Sequence, residues 1–434
     1  MNSEALAHQV IAKLREAGHQ AYLVGGCVRD LLLGCAPKDF DVATDARPDR
    51  VMDLFPRSGR VGAHFGVVLV RDAFSQVEVA TFRSDQDYAD GRRPGAVHFE
   101  YDPRRDVVRR DFTINGLMLD PVTGRVLDFV GGREDLASGL VRAIGDPAER
   151  FREDHLRMLR AIRFAARLGF RIDPATFDAI RAGHASVLRV SAERIRDELN
   201  RILTEGGARR GFEMLDASGM LADILPEIAA MHGVEQPPEY HPEGDVWVHT
   251  LLLLEGLDHP SLTLAWGALL HDVGKPPTFR VADRIRFDGH VEEGVRLAHG
   301  ILTRWRFSRE QIDQIEALVA HHMRFKDVPH MKESTLKHFL RLPDFAEHLE
   351  LHRLDVLASN RHLDTWQYVK EKLADLSAAD LKPPRLLTGA DLIAAGYEPG
   401  PLFSEILSAV EDAQLEGRIR TAGEAMKFVR ERFG

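Results

Sequence analysis

The chain has 434 residues, 57 Lys+Arg against 67 Asp+Glu, and a formal net charge of −10. At roughly 150 residues per domain this length suggests about three domains, and 44% hydrophobic residues are ample for buried cores. No run of about 18 apolar residues exists to span a bilayer, two cysteines cannot build a disulfide framework, and the acidic balance at first sight speaks against nucleic acid.

In chain order, residues 1–18 read as a short amphipathic helix without a signal-peptide core, so a cytoplasmic protein is expected. Residues 20–130 read as α/β. The apolar runs AYLVGG, DFDVAT, FGVVLV, VEVATF and VLDFV alternate with turns and with two short helices, 28–34 and 47–55. From Asp146 to about Leu225 the pattern turns helical. In HLRMLRAIRFAARLGF, Leu156, Leu159, Ile162, Phe164 and Ala166 form an apolar stripe, while Arg157, Arg160, Arg163 and Arg167 recur at three- and four-residue spacing. ERIRDELNRIL is a second such helix. The Pro- and Gly-rich stretch 233–244 reads as a linker. Helical patterns resume at 246–257, 261–272, 290–305 and 309–322 and run through 346–378. After a break at 381–387 they continue at 388–395, 401–417 and 422–432.

Charge is partitioned along the chain. Residues 1–200 hold 30 basic and 30 acidic residues, so the whole −10 falls in 201–434. Residues 151–210 carry 13 Arg, no Lys and 8 acids, and 13 of the 20 histidines fall between His241 and His362. The arginine surplus reads either as a solvated helix face or as a surface that meets phosphates.

Chemistry concentrates first at LVGGCVRDLLLG. Gly25 and Gly26, between a strand and a helix, let backbone approach phosphate closely, the helix N-terminus adds partial positive charge, and Arg29 adds a charged contact. Asp39 and Asp41 follow. If both lie in a strand they point to one side, and paired carboxylates call for a counter-charge such as Mg²⁺. Two-metal chemistry wants a third carboxylate on a neighbouring strand; Glu78 is the candidate, with an exposed strand acid as the alternative. Arg109 and Arg110 suit a triphosphate. Asp111 reads either as an acceptor for a ribose hydroxyl or as a helix N-cap.

Together, LVGGCVRDLLLG…KDFDVAT, RRDFTINGLMLD, DFVGGREDL and FREDHLRMLRAIRFAARLGF resemble the bacterial-type (class II) tRNA nucleotidyltransferases, which comprise the CCA-adding enzymes and the bacterial poly(A) polymerases. The resemblance spans about residues 20–205. It implies an α+β chain: a polymerase-beta-like head followed by an all-α neck. It also implies transfer of nucleotides from CTP and ATP to a tRNA 3′ end without a template. Glu153-Asp154-His155-Leu156-Arg157 matches the family's EDxxR motif. On one helix Asp154 and Arg157 would be neighbours at i and i+3, and their acceptors and donors would read the base edge of C, then A. The polar segment 84–102, with Gly91, Pro94 and Gly95, resembles the flexible loop of A-adding members. Adding A alone, or a poly(A) tail, is the nearest alternative reading.

The rear carries His249, His271-Asp272, His290, His321-His322 and Asp355 on successive helical patterns. Imidazoles with carboxylates suit Ni, Mn, Zn or Fe. This order resembles an HD phosphohydrolase domain. The resemblance implies a primary metal site of His249, His271, Asp272 and Asp355, with His290 and His322, in preference to His321, for a second metal or a phosphate. Lys275 reads as a phosphate contact or as a helix-terminal charge. An HD hydrolase or RNA-binding protein with an inactive head is the alternative of another class. The expected domains are a head (1–145), a neck (146–232), an HD-like domain (240–365) and a helical tail (366–434). The expected partners are tRNA, CTP and ATP, with no membrane and no DNA; tRNA would lie along the head and the arginine-rich neck.

Overall fold

The structure, a computed structural model, describes residues 2–61, 66–88, 94–239 and 241–434. The chain divides into two compact units, Met1–Ala229 and Ala230–Gly434. No helix among the described residues is long and apolar enough to cross a membrane.

In the first unit, helix Ser3–Glu16 is capped by Asn2, whose side chain accepts from the Ala5 N–H at 2.9 Å. Its buried stripe is Leu6, Ala7, Val10, Ile11 and Leu14. The strands that follow are β1 (Ala21–Val24), β2 (Asp41–Thr44), β3 (Ser58–Val61), β4 (Val67–Arg71), β5 (Gln76–Thr81), β6 (Arg83–Tyr88), β7 (Pro94–Phe99), β8 (Leu117–Leu119) and β9 (Val126–Asp128). Seven of them form one sheet in the order β3-β4-β5-β2-β1-β8-β9. The central pair, β2 and β5, runs parallel with Asp41 opposite Glu78 and Val42 opposite Val79. Alternation in β5 turns Val77 and Val79 inward and Glu78 outward.

Two local readings change. Strand β2 begins at Asp41, so Asp39 stands in the irregular stretch before it rather than in the strand. The segment expected to be a polar loop is largely a hairpin: β6 pairs antiparallel with β7, Arg83 opposite Phe99 and Tyr88 opposite Pro94. Its centre, 89–93 with Gly91, lies outside the described residues.

The helical part of this unit comprises Pro147–Glu153, Leu156–Leu168, Pro174–Gly183, Ala192–Thr204 and Ala208–Ala217, then two short helices, Met220–Ile224 and Pro226–Ala229. Helix Leu156–Leu168 buries Met158, Leu159, Ala161, Ile162 and Ala165, and with them Arg157 and Arg163. A guanidinium is buried this way only when paired. Arg163 donates to Glu198 at 2.6 Å, Arg160 to Asp111 at 2.5 Å and Arg157 to Glu153 at 2.7 Å, while Arg167 lies 3.6 Å from Asp30. The arginine row is therefore not a freely solvated face: it fastens the neck helix to carboxylates of the head and of its neighbouring helices. Arg171, Arg181, Arg189 and Arg201 are exposed and form no ion pair among the described residues.

The second unit is helical. Val246–Glu255 is capped by Asp245 and Leu262–Leu270 by Ser261; His290–Arg304 follows, then Arg309–His321, opened by a Ser308/Gln311 capping box. Helix Glu333–Leu340, not expected from periodicity, buries Leu336, Phe339 and Leu340. The long pattern 346–378 is two helices, Phe345–Ala358 and Asp364–Asp375. Between them Arg361 adopts φ 61° and the Asn360 side chain accepts from the His362 N–H at 2.9 Å, a local bond that ends the helix. Three tail helices, Gly389–Ala394, Pro401–Leu415 and Ala422–Phe433, enclose a core that includes Leu392, Ile406, Val410 and Val429.

Candidate active site and metal centre

In the head, the strand register sets Asp41 beside Glu78. Burial and the Glu78 carboxylate push the Asp41 carboxyl up to about 6, Arg110 opposes them, and Asp39 adds to the rise. Three carboxylates therefore share one field against a single guanidinium. They form a set of hard oxygen donors, and a divalent cation is the counter-charge such a set lacks.

Gly25 has φ 73°, in the left-handed region that suits glycine, and a Cβ there would stand 3.1 Å from Arg110 Nη1. The glycine is thus what lets the Arg110 guanidinium lie against the turn. A Cβ on Gly26 would stand 3.6 Å from Arg29 Nη2. Arg29 itself is buried: its Nε donates to Asp30 and its Nη1 to Asn115, each at 2.8 Å, and the guanidinium lies 5.0 Å over the Phe164 ring. It braces the turn more than it faces outward.

Arg109 and Arg110 are both held by Asp106, which is 0% exposed: Arg109 Nη2 donates to Oδ1 at 2.6 Å and Arg110 Nη2 to Oδ2 at 3.0 Å. Burial works against this carboxylate, but the two arginines hold it below the ordinary range. Asp106 was missed in the sequence, although its i+3 and i+4 relation to two arginines was the available signal. Asp111 is not the helix N-cap. Its Oδ2 accepts from Arg160, and its Oδ1 accepts from the Asn115 side chain at 3.0 Å and from the Phe112 N–H at 2.8 Å. The short helix that follows, Thr113–Asn115, is capped by Phe112.

Asp154 and Arg157 do not share a helix. Helix Pro147–Glu153 ends at Asp154, which is extended at φ −144° and ψ 105°. The Asp154 Oδ1 accepts from the Leu156 N–H at 3.1 Å, a side-chain bond that opens the next helix in place of continuing the first. The Arg157 N–H donates to the Asp154 carbonyl at 3.0 Å, but their side chains do not pair with each other. Arg194 donates to Asp154 Oδ2 at 2.9 Å, and Arg157 donates to Glu153, to the Arg150 carbonyl at 3.2 Å and to the Arg109 carbonyl at 3.0 Å. Each is therefore anchored separately, and Arg194 is a further residue that the motif did not reveal.

In the second unit, His249 Nε2 lies 3.1 Å from Asp355 Oδ1 and 3.3 Å from His271 Nε2, and His271 Nε2 lies 3.2 Å from Asp272 Oδ2. Donor atoms of His249, His271 and Asp355 converge, as do those of Asp272, His290 and His322. His321 is apart from both groups, its ring 5.8 Å from that of His348. The chemistry of the donors fits a metal. His271, His290 and His322 each direct Nδ1 to the carbonyl three residues earlier, at 2.9, 2.9 and 2.7 Å, which leaves Nε2 free to ligate. Nε2 of His290 and of His322 is buried with no hydrogen-bond partner. Burial lowers His322 to about 4, so its imidazole is neutral as a ligand must be. His249 differs: burial opposes its charge, but Asp355 and Glu243 raise it to about 9, so the carboxylates around it favour a cation at this point.

Lys275 is buried and opens the short helix Lys275–Thr278 rather than ending one. Its ammonium donates to Asp272 and to Gln236 Oε1, each at 2.6 Å. Gln236 and Glu243 come from the stretch read as a linker, which instead supplies side chains to the centre. Glu243 was missed; its place three residues before the helix that carries His249 is a weak signal.

Family profiles match three segments: "Poly A polymerase head domain" over residues 21–142, "Probable RNA and SrmB- binding site of polymerase A" over 169–231, and the HD domain over 241–359. A CCA-adding enzyme of Streptococcus pneumoniae (strain CGSP14) is 32% identical over 425 residues, 98% of this chain and 96% of that protein. One from Leuconostoc mesenteroides is 32% identical over 431 residues, with the same coverage. Among solved structures, the Bacillus stearothermophilus CCA-adding enzyme in complex with CTP superposes with a TM-score of 0.77 at 27% identity, covering 98% of this chain and 97% of that one. The Thermotoga maritima CCA-adding enzyme complexed with tRNA shares the fold, with a TM-score of 0.61 at 19% identity over 99% and 95% of the two chains.

Proposed function

The chain belongs to the CCA-adding enzyme family, and we propose from that premise that it adds C, C and A to tRNA 3′ ends from CTP and ATP, without a template, in the cytoplasm. Asp39, Asp41 and Glu78 would hold Mg²⁺, which when bound supplies a counter-charge for the attacking 3′-hydroxyl and the leaving pyrophosphate. Gly25 and Gly26 offer backbone to the triphosphate, and Arg110, with Arg109 beside it, offers charge. Arg29 supports that turn from beneath, and Asp111 sets the place of Arg160.

The observation that carries base choice is the separate anchoring of Asp154 and Arg157. A carboxylate accepts only and a guanidinium donates only. Cytosine and adenine each place an exocyclic amino donor next to a ring-nitrogen acceptor on the pairing edge. Asp154 suits the amino group and Arg157 the ring nitrogen. Uracil and guanine carry a carbonyl oxygen where Asp154 needs a donor, so both are rejected.

Incubating tRNA that lacks CCA with CTP alone, and sequencing the products, tests this reading. Two added cytidines are expected; products without added C would overturn it in favour of A-only addition. Crosslinks to bound tRNA are expected in residues 1–229, and their concentration in 240–434 would contradict the placement.

In the rear, His249, His271, Asp272 and Asp355, with His290 and His322, would hold a divalent transition metal such as Ni, Mn, Zn or Fe. A metal there supplies a water activated for hydrolysis of phosphate esters. Asp272→Ala is expected to abolish phosphatase and cyclic phosphodiesterase activity, and equal activity in variant and wild type would remove this second function.

A further inference from the structure

We infer that Glu243 is a positioning residue of the rear metal centre, acting through His249. The inference rests on reading that centre as a metal site. Three of its four histidines are oriented by backbone alone, each through the carbonyl three residues earlier. His249 is the exception. Its Nδ1 donates to Glu243 Oε1 at 2.7 Å, with the Nε2 side toward Asp355 and His271. A carbonyl fixes a ring's tautomer; a carboxylate also increases the basicity of the nitrogen that ligates.

The carboxylate is costly where it stands. The Glu243 side chain is 7% exposed, and its Oε2 is buried without a hydrogen-bond partner. No lysine or arginine pairs with it among the described residues; its partners are His249 and His241, the latter at 2.9 Å. A buried carboxylate needs positive charge nearby. Among the described residues the groups placed to supply that charge are the imidazoles of His249 and His241, and an imidazole ligating a cation carries it. The segment is also held in place: Glu235 bridges Asp245, and Asp245 Oδ2 accepts from the Gly233 N–H at 2.7 Å. A packing residue would need neither the charge nor this registration.

The test uses the full chain, stripped of metal and titrated with Co²⁺ in competition with a chelator. It follows the visible bands of the Co²⁺ site in wild type, Glu243→Gln, Glu243→Ala and, as a ligand control, Asp272→Ala. Thermal melts of the metal-free proteins accompany the titrations. Glu243→Gln keeps an acceptor for the imidazole and loses only the charge, so it is expected to melt like wild type. It should nevertheless bind Co²⁺ about 10–100-fold more weakly and with shifted bands. Glu243→Ala should lose at least as much affinity. Wild-type affinity and spectrum in Glu243→Gln would overturn the inference even if Glu243→Ala fails to fold. Wild-type protein that binds no Co²⁺ would overturn the metal-centre reading, and the inference with it.

Discussion

Asp41→Asn is expected to lower the rate of nucleotide addition by about three orders of magnitude, the scale set by losing several kcal/mol of metal-based transition-state stabilisation. The same change should leave the melting temperature of metal-free protein at pH 7 unchanged or raise it. Folding pushes the Asp41 carboxyl up to about 6 through burial and the Glu78 charge. A group whose folded pKa is raised opposes folding when ionised, so its neutral isostere relieves that opposition above about pH 4. Activity and stability should therefore move apart. Incorporation of labelled CMP and calorimetry in chelator measure the two, and an active, destabilised variant would show that Asp41 serves the fold instead.

Asp106→Ala has the largest expected effect on the fold. One fully buried carboxylate holds Arg109 and Arg110 in place. Removing one partner of a buried ion pair costs about 3–5 kcal/mol, because the other charge is left without compensation. Both guanidiniums would then turn toward solvent, and Arg110 would leave Gly25. A lower urea midpoint and a KM for CTP and ATP raised about tenfold or more are expected together. Asp106→Asn, which keeps one acceptor, should fall between. A lower midpoint with unchanged KM would show that these arginines support structure without meeting the triphosphate.

The parts of the molecule that were legible beforehand depend on neighbours in sequence. Alternation in VEVATF turned Glu78 outward, and the order of short apolar runs marked the strands of the head. The histidines were legible because they recur in order on successive helical patterns, with Asp272 directly after His271. What was not legible depends on distant partners or on one side-chain bond. Periodicity is the same for arginines that face water and arginines that face carboxylates. The difference lies in Asp111, 49 residues before Arg160, and in Glu198, 35 residues after Arg163. The helix break at Asp154 turns on one bond from its own carboxylate to the Leu156 N–H. The stretch 233–244 has a spacer's composition because Pro and Gly shape a rigid approach to a site as readily as they shape a tether.

The row Arg157, Arg160, Arg163 and Arg167 bears also on how a finished product departs. Each phosphate met by a basic side chain releases counterions and tightens the hold on a nucleic acid. A guanidinium already paired with an internal carboxylate has less charge to give to that hold. Exposed arginines without an ion pair among the described residues, such as Arg171, Arg181, Arg189 and Arg201, are fewer than the neck's composition suggests. If the proposed addition of three nucleotides holds, that economy would serve release of the product: the charges that fasten the neck helix would be separate from those that hold the RNA.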